Sequence, residues 1–194
     1  MLTLIHAPMS RSSRFIWLLE ELDVPYKIQP VSILRMDGSG AQDPANPHPD
    51  KRVPALQHGD ELLTESPAIA LYLTDLYPEK GLGRAVGEAG RGAYLNWLAY
   101  TTGEMEPVVF GRAMGQKPTP RQQHYANQMD ARLTAALETG PYLMGAQFTA
   151  ADIMIASFFQ WAPDHMPKSD GIAAWMQRLS TRPALARAMA KDKG

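Results

Sequence analysis

The sequence predicts an α+β domain followed by an all-α domain. Three observations support this fold class: two apolar segments of strand length alternate with helical patterns in the first 78 residues, a hairpin pattern surrounds the turn "HGD", and only helical patterns follow residue 90. The segment "YPEKGLGRAVGEAG" between these regions contains a proline and four glycines, which is typical of a linker. We therefore expect domains at residues 1–78 and 89–194.

The first half contains a strand, a helix, a strand, a hairpin and a helix, in that order. "LTLI" and "YKIQPV" are the two strands, and the first helix runs from Arg14 to Leu22, with Glu20 and Glu21 opposite its apolar residues. We expect this helix to pack on the sheet. The Gly-rich and Pro-rich segment before the hairpin predicts an irregular loop with at most one helical turn, and the next helix is predicted from Pro67 to Tyr77.

The second half contains five predicted helices. Thr119 with Gln122, and Thr149 with Asp152, have the spacing of a capping box, in which each side chain accepts the backbone amide of the other residue. Pro107 is expected to bend the first of these helices. The apolar segment "AADIMIASFFQW" is expected to form the buried centre of a bundle. The predicted helices span about residues 91–114, 119–140, 150–161, 171–180 and 184–190.

Composition excludes several classes of function. The 19 basic and 20 acidic side chains nearly cancel, so we expect no binding to nucleic acid, and no segment approaches the roughly 18 apolar residues of a membrane span. The N-terminus lacks the basic region of a secretion signal, which favours the cytoplasm. Cysteine is absent, so any thiol chemistry must use the thiol of a bound molecule. The histidines lack the spacing of a metal site, and His6 is interpreted as a packed or capping residue.

The stretch "RVPALQHGDELLTES" predicts a binding site for a small peptide. Pro54 has no amide to donate, so it belongs at the first residue of a strand, where a cis bond would turn the backbone of Val53 outward. Ser66 precedes Pro67 and is expected to be an N-cap, so the amides at this helix start suit a carboxylate, while Glu65 suits an ammonium group. The alternative is that Pro54 only ends a loop and the acid and hydroxyl only cap a helix.

These motifs resemble those of the glutathione S-transferase superfamily. "RVPAL" and "LTESPAIALYL" are similar to its N-terminal motif, "FTAADI" to its N-capping box and "RLSTRPALARAM" to its C-terminal helix, while "SRSSRFIWLLEEL" and "YTTGEMEP" resemble a bacterial and fungal subgroup. The resemblance covers nearly the whole chain. It implies a thioredoxin-like N-terminal domain, an all-helical domain with a pocket for an electrophile, glutathione as co-substrate without a metal, and a homodimer in the cytoplasm.

The resemblance also implies roles for individual residues. Pro54 would be the cis-proline, and Val53 would pair its backbone with the cysteinyl part of glutathione. Glu65 and Ser66 would hold the γ-glutamyl group. Arg52 stands where many relatives have a glutamine or lysine near the tripeptide, so a contact with glutathione is implied there too.

Catalysis in this family requires the thiol of glutathione to become a thiolate, which a hydroxyl donor and a helix N-terminus favour. The family uses Tyr, Ser or Cys after the first strand. Cys is absent here and no Tyr precedes Val24, so the donor is Ser10, Ser12 or Ser13, or else Arg11 or the backbone amides. Ser10 matches the placement in serine-type relatives, and its alternative role is the N-cap of the first helix.

The expected function is a glutathione transferase that joins the thiolate to apolar electrophiles. Two alternatives remain open: a glutathione-dependent peroxidase, isomerase or dehalogenase on the same scaffold, and a non-catalytic glutathione-binding regulatory protein. An electrophile pocket would be drawn from apolar residues that recur at helical spacing in the second domain and are mostly expected in its core: Trp97, Tyr100, Met105, Phe110 and Met114.

Overall fold

The chain divides into two compact units in a computed structural model that describes residues 1–193. The first unit comprises residues 1–73 together with the C-terminal segment from Pro183, and the second comprises residues 74–182. The last helix thus groups with the N-terminal part of the chain, although it lies within residues 89–194, which the sequence predicts as one domain. In the described part of the chain, no helix is long and apolar enough to cross a membrane, and no three His, Asp or Glu side chains are placed to hold a metal ion.

The first unit is built on a four-stranded mixed sheet with the strand order β2-β1-β3-β4. The first strand pairs in parallel with the second and antiparallel with the third, and the third and fourth form the predicted hairpin. Helix α1 (Ser13–Leu22) connects the two parallel strands, as a parallel pair requires. This is the thioredoxin-like arrangement that the resemblance implies. The strands are β1 (Leu2–His6), β2 (Tyr26–Pro30), β3 (Ala55–His58) and β4 (Glu61–Thr64).

Helix α1 is buried on nearly all sides because the C-terminal helix α8 (Pro183–Asp192) packs against it. Glu20, predicted on the side away from the apolar residues, is therefore buried rather than solvated, with 8% of its surface exposed. Its carboxylate accepts hydrogen bonds from Arg187 at 2.7 Å, from the Tyr26 hydroxyl at 2.7 Å, and from Lys191. Burial opposes ionisation of Glu20, but these donors outweigh it and lower the pKa of the carboxyl to about 2.

The long loop and the helix after the hairpin lie close to the positions that the sequence predicts for them. Residues 31–54 contain no helix or strand, in agreement with the predicted irregular loop. A helix capped by Ser66 would begin at Pro67, but helix α2 (Ser66–Leu76) begins one residue earlier. The amide of Ile69 donates to the carbonyl of Glu65 at 3.0 Å, which is the first hydrogen bond of the helix. Glu65 therefore precedes the helix and Ser66 is its first residue, so the prediction of Ser66 as N-cap is wrong by one position.

The second unit is helical, with helices α3 (Arg91–Tyr100), α4 (Glu106–Ala113), α5 (Pro120–Glu138), α6 (Ala150–Trp161) and α7 (Asp170–Ser180). A π-helical turn from Thr101 to Met105 joins α3 to α4, and Pro107 is the second residue of α4. The single bent helix predicted there is thus interrupted by a wider turn next to the proline, where the ring cannot continue the regular hydrogen bonding. The capping boxes predicted at Thr119 and Thr149 are both present.

Asp152 is the polar centre of the second unit. Its buried carboxylate accepts hydrogen bonds from the amides of Leu143 and Thr149, both at 2.9 Å, and from the indole of Trp175 at 3.0 Å. Burial raises the pKa of Asp152, although the three donors oppose that effect. The carboxylate therefore links the loop before α6 to helix α7 as well as capping α6.

Candidate functional site

Three segments of the first unit leave the sheet at the same end. Ile5, near the end of β1, pairs with Ala55 at the start of β3, and Ala55 pairs with Thr64 at the end of β4. Antiparallel pairing therefore brings the residues after β1, before β3 and after β4 together. These segments carry most of the predicted site residues: Ser10, Arg11, Ser12, Arg52, Val53, Pro54, Glu65 and Ser66.

The Val53–Pro54 peptide bond is cis, as the resemblance implies. Val53 is half-buried and packs against the cluster formed by Ile5, Val31 and Ala55, and Pro54 is buried. The backbone of this segment is thus held at the start of β3.

Asn46 stabilises the loop before the cis bond, although the sequence does not predict this role. Its side chain is fully buried, and its amide nitrogen donates to the carbonyl of Arg52 at 3.1 Å while its oxygen accepts the amide of His48 at 2.9 Å. Satisfying both ends of a buried amide fixes the local backbone. No local pattern distinguishes this asparagine from the other polar residues of the loop, because its partners are carbonyl and amide groups of the folded loop.

The side chain of Arg52 lies at the surface. The side chain is 65% exposed, and its guanidinium donates to the carboxylate of Asp50 at 2.7 Å. The buried contribution of Arg52 is its carbonyl group, which Asn46 holds. An exposed ion pair of this kind contributes little to stability, so the guanidinium is available to exchange partners at small cost.

Glu65 and Ser66 stand at the start of α2 in an unusual backbone geometry. Glu65 has a φ of 67°, in the left-handed region that residues other than glycine adopt at some cost, and its side chain is exposed. Ser66 is buried as the first helical residue. The strained residue turns the chain directly into the helix, so an exposed carboxylate and the amides of a helix N-terminus are adjacent.

Ser10 and Ser12 form a hydroxyl pair after β1. Ser10 is half-buried, and its Oγ lies 2.7 Å from the carbonyl oxygen of Ala7 and 2.7 Å from Oγ of Ser12. Ser12, not Ser10, is the N-cap residue of α1, and its side chain makes no capping bond. Ser10 therefore does not occupy the N-cap position, although its Oγ accepts the amide of Ser12, the residue before the helix, at 3.2 Å. Its hydroxyl is held instead by the turn between the strand and the helix.

His6 and Asp192 continue the contacts of the serine pair into the interior. Nδ1 of His6 lies 2.8 Å from Oγ of Ser12, and Nε2 lies 3.4 Å from Oδ1 of Asp192 at the end of α8. The same carboxylate accepts hydrogen bonds from the Ser13 hydroxyl at 2.5 Å and from the Met9 amide at 3.3 Å. Burial lowers the pKa of His6, with Asp192 acting in the opposite direction. Asp192 could not be found from the sequence because it lies far along the chain from its partners.

Two arginines accompany the serines at the start of α1. Arg11 is exposed, while Arg14 is buried, with 3% of its surface exposed, and both interact with other groups. Arg14 is therefore part of the interior rather than a surface cation. Arg11 stands next to Ser10 in the chain and adds positive charge at the surface of this turn.

A groove of about 580 Å³ lies within the second unit, between the α3–α4 segment and α5. The guanidinium of Arg132 lies 4.0 Å from the ring centre of Tyr100 and 4.7 Å from that of Trp97, a cation–π arrangement. Among the aromatic and methionine residues considered for an electrophile pocket, Tyr100 lines this groove, while Trp97 and Met105 belong to the core. The groove is lined by Tyr100, Glu104, Val108, Tyr125, Gln128, Ala131 and Arg132.

Comparison with known proteins gives the family. Residues 4–81 match the family model for the glutathione S-transferase N-terminal domain, and residues 119–189 match that for the C-terminal domain. Glutathione S-transferase GstA of Escherichia coli O157:H7 is 27% identical over 181 residues, covering 90% of each chain. A glutathione S-transferase structure from Actinobacillus pleuropneumoniae has a TM-score of 0.81 at 26% identity, covering 100% of this chain and 94% of that one. A glutathione transferase structure from Methylococcus capsulatus has a TM-score of 0.78 at 28% identity, covering 100% and 99%. The chain belongs to the glutathione S-transferase superfamily.

Proposed function

We propose that the protein is a glutathione transferase that joins the thiolate of bound glutathione to small apolar electrophiles. The observation that carries the proposal is the convergence of three segments at one end of the sheet: a hydroxyl pair after β1, the Val53–Pro54 segment before β3, and the acid and helix start after β4. Membership of the superfamily supports it. On the same basis we place the protein in the cytoplasm as a homodimer, and "SRSSRFIWLLEEL" favours the bacterial and fungal subgroup.

The γ-glutamyl end of glutathione carries one ammonium and one carboxylate, and the start of α2 offers a partner for each. Glu65 is exposed and holds the ammonium group. Ser66 and the first-turn amides of α2 hold the carboxylate, which the partial positive charge of a helix N-terminus favours. The backbone of Val53 pairs with the cysteinyl part of the tripeptide. Arg52 can exchange Asp50 for glutathione at the surface.

In this proposal, the hydroxyl of Ser10 activates the thiol of glutathione. A free thiol has a pKa near about 8.5 and is mostly protonated at neutral pH, so a donor to the sulfur is needed. Ser10 is half-buried beside the start of α1, whereas the hydroxyl of Ser12 is fully buried behind it. Arg11 contributes positive charge at the surface. The small apolar electrophile would then be attacked by a thiolate held by a hydroxyl and by helix amides.

The proposal is tested by glutathione capture followed by turnover. The folded protein should be retained on immobilised glutathione and released by free glutathione, and it should conjugate members of a panel of apolar electrophiles. Retention with turnover of peroxides or haloalkanes in place of conjugation would favour the peroxidase or dehalogenase alternative, because each begins with the same thiolate. Retention without any turnover would favour a regulatory glutathione-binding protein. A folded protein that is not retained contradicts the site itself.

A further inference from the structure

We propose that His6 accepts the thiol proton of bound glutathione through Ser10 and Ser12, and that Asp192 stabilises the imidazolium that results. The inference rests on the proposed function, since it assumes that the sulfur lies at Ser10. It assigns a use to a buried histidine on β1 and to a carboxylate at the end of α8. His6 and Asp192 act through the serines and are positioning residues.

The contacts form a continuous chain from a half-buried hydroxyl to a buried carboxylate. The Oγ atoms of Ser10 and Ser12 are 2.7 Å apart, Oγ of Ser12 is 2.8 Å from Nδ1 of His6, and Nε2 of His6 is 3.4 Å from Asp192. Ser12 and His6 are 0% and 2% exposed, so water does not compete for the inner links. Nε2 of His6 has no hydrogen bond within the usual distance, and the nearby carboxylate is its natural partner when it carries a proton.

Three linked proton shifts reverse every hydrogen bond in the chain. Before transfer, His6 is protonated only on Nε2, Ser12 donates to Nδ1, Ser10 donates to Ser12, and the thiol donates to Ser10. The S–H bond then breaks: its proton goes to Ser10, the Ser10 proton goes to Ser12, and the Ser12 proton goes to Nδ1. The products are a thiolate and an imidazolium, with no proton gained or lost overall. Ser10 now donates to the thiolate, as the proposed activation requires.

The charges around His6 suit an acceptor of the thiol proton. Burial lowers the pKa of His6, so the ring is neutral before the thiol arrives, while Asp192 favours the protonated form. The other charged groups of α8 that face α1, Arg187 and Lys191, are bound to Glu20. On the α1 side, the cations Arg11 and Arg14 each have interactions of their own.

The Ala7 carbonyl is the competing acceptor at the outer end of the chain. Ser10 can donate to it at 2.7 Å instead of to Ser12. In that state the hydroxyl is turned away from Ser12 and the relay is interrupted. After transfer to His6 the Ser10 proton points to the thiolate, and Ser12 donates to Ser10 at 2.7 Å rather than to the more distant Ala7 carbonyl at 3.3 Å.

A proton inventory tests the relay directly. Glutathione is titrated into the full-length protein near neutral pH by calorimetry, in buffers that differ in ionisation enthalpy, while thiolate absorbance is followed. We expect thiolate to form with well under one proton released per site, because His6 keeps the proton. S-methylglutathione, which has no thiol proton, should bind without changing the protonation state of His6. Release of about one proton for each thiolate formed overturns the relay while leaving the transferase proposal intact, whereas absence of glutathione binding overturns both.

Nitrogen NMR of the imidazole rings gives a second readout, recorded on the unsubstituted protein. Glutathione should convert His6 from a ring protonated on one nitrogen to an imidazolium, and S-methylglutathione should not. The His6→Gln variant assigns the signal, and His124→Gln, at an exposed position on α5, is the matched control. We expect His6→Gln to raise the pKa of the bound thiol by about one unit, which is about a tenfold loss of thiolate where the thiol is mostly protonated. A His6 signal that stays neutral in the glutathione complex contradicts the proposal.

Discussion

The hydroxyl oxygens of Ser10 and Ser12 lie 2.7 Å apart, yet Ser10 is half-buried and Ser12 is fully buried. The pair therefore has an outer and an inner member. In the proposed site, glutathione would reach the outer hydroxyl first, and the inner one would act on it through the outer one. This difference in exposure separates the expected effects of substituting either serine.

Ser10→Ala should raise the pKa of the thiol of bound glutathione, because the donor to the sulfur is lost. Conjugation should fall more at about pH 6.5 than at about pH 9, with about a tenfold loss of thiolate for each pKa unit where the thiol is mostly protonated. Glutathione affinity should change less. Titration of the bound thiolate absorbance measures the shift. If Ser10→Ala leaves the pKa in place while Ser12→Ala or Arg11→Ala raises it, the assignment moves to that neighbour.

Glu65→Gln and Ser66→Ala should each weaken glutathione binding by about tenfold or more without unfolding the protein. The first removes the charge that pairs with the ammonium group, and the second removes a hydroxyl beside the carboxylate, contacts that contribute about 1.5–3 kcal/mol when charge is involved. Glu61→Gln, which neutralises an exposed acid at the other end of β4, is the matched control. Calorimetry showing unchanged affinity in both site variants would exclude this site.

Disulfide reduction by the protein should not exceed the background rate of free glutathione. The sequence has no cysteine, so the protein cannot form a mixed disulfide with glutathione. Thiol-transferase and dehydroascorbate-reductase assays check this expectation against a protein-free control. A rate well above that control would mean that another chemistry operates at the site.

Glu20→Gln should destabilise the protein at neutral pH and make little difference at low pH. The native pKa of Glu20 is lowered to about 2, so its contribution is fully present above about pH 5 and is lost as the pH falls toward 2. Because Arg187 and Lys191 are half exposed, we expect a difference of about 1–3 kcal/mol at neutral pH. Denaturant unfolding at several pH values measures it, with exposed Glu79→Gln as control. A difference that stays constant down to about pH 2 contradicts this account.

Asp152→Ala should be among the most destabilising substitutions in the second unit. It leaves the buried amides of Leu143 and Thr149 and the indole of Trp175 without their acceptor, at an expected cost of about 3–5 kcal/mol. Thr119→Ala, at the exposed capping box of α5, should cost about 1 kcal/mol. Thermal and denaturant unfolding compare the two variants, and equal costs would show that Asp152 acts only as a helix cap.

Local signals in the sequence predict most of the fold. The box at Thr119 and Gln122 marks the start of α5 because its partners are three residues apart. The cis-proline, the acid before α2 and the hydroxyl of its first residue also lie in short motifs. No pattern in the sequence predicts the left-handed backbone of Glu65, since a glutamate does not by itself indicate that conformation.

Contacts between distant residues explain what the sequence could not predict. His6 and Asp192 meet only because α8 packs on α1, and the burial of Glu20 has the same cause. The helical pattern of α1 shows one apolar side, but a second packing partner covers its charged side too. Asn46 is a further case, since its partners are backbone groups of a folded loop.

The return of α8 to α1 affects how the protein folds as it is synthesised. The sheet and α1 are complete once Thr64 has left the ribosome, but the partners of Glu20 and Ser13 are Arg187, Lys191 and Asp192. Until those residues emerge, α1 exposes the face that α8 will cover, while the whole helical unit has already been made. The second unit can therefore fold before the first is finished, in reverse of the usual order for a chain synthesised from its N-terminus.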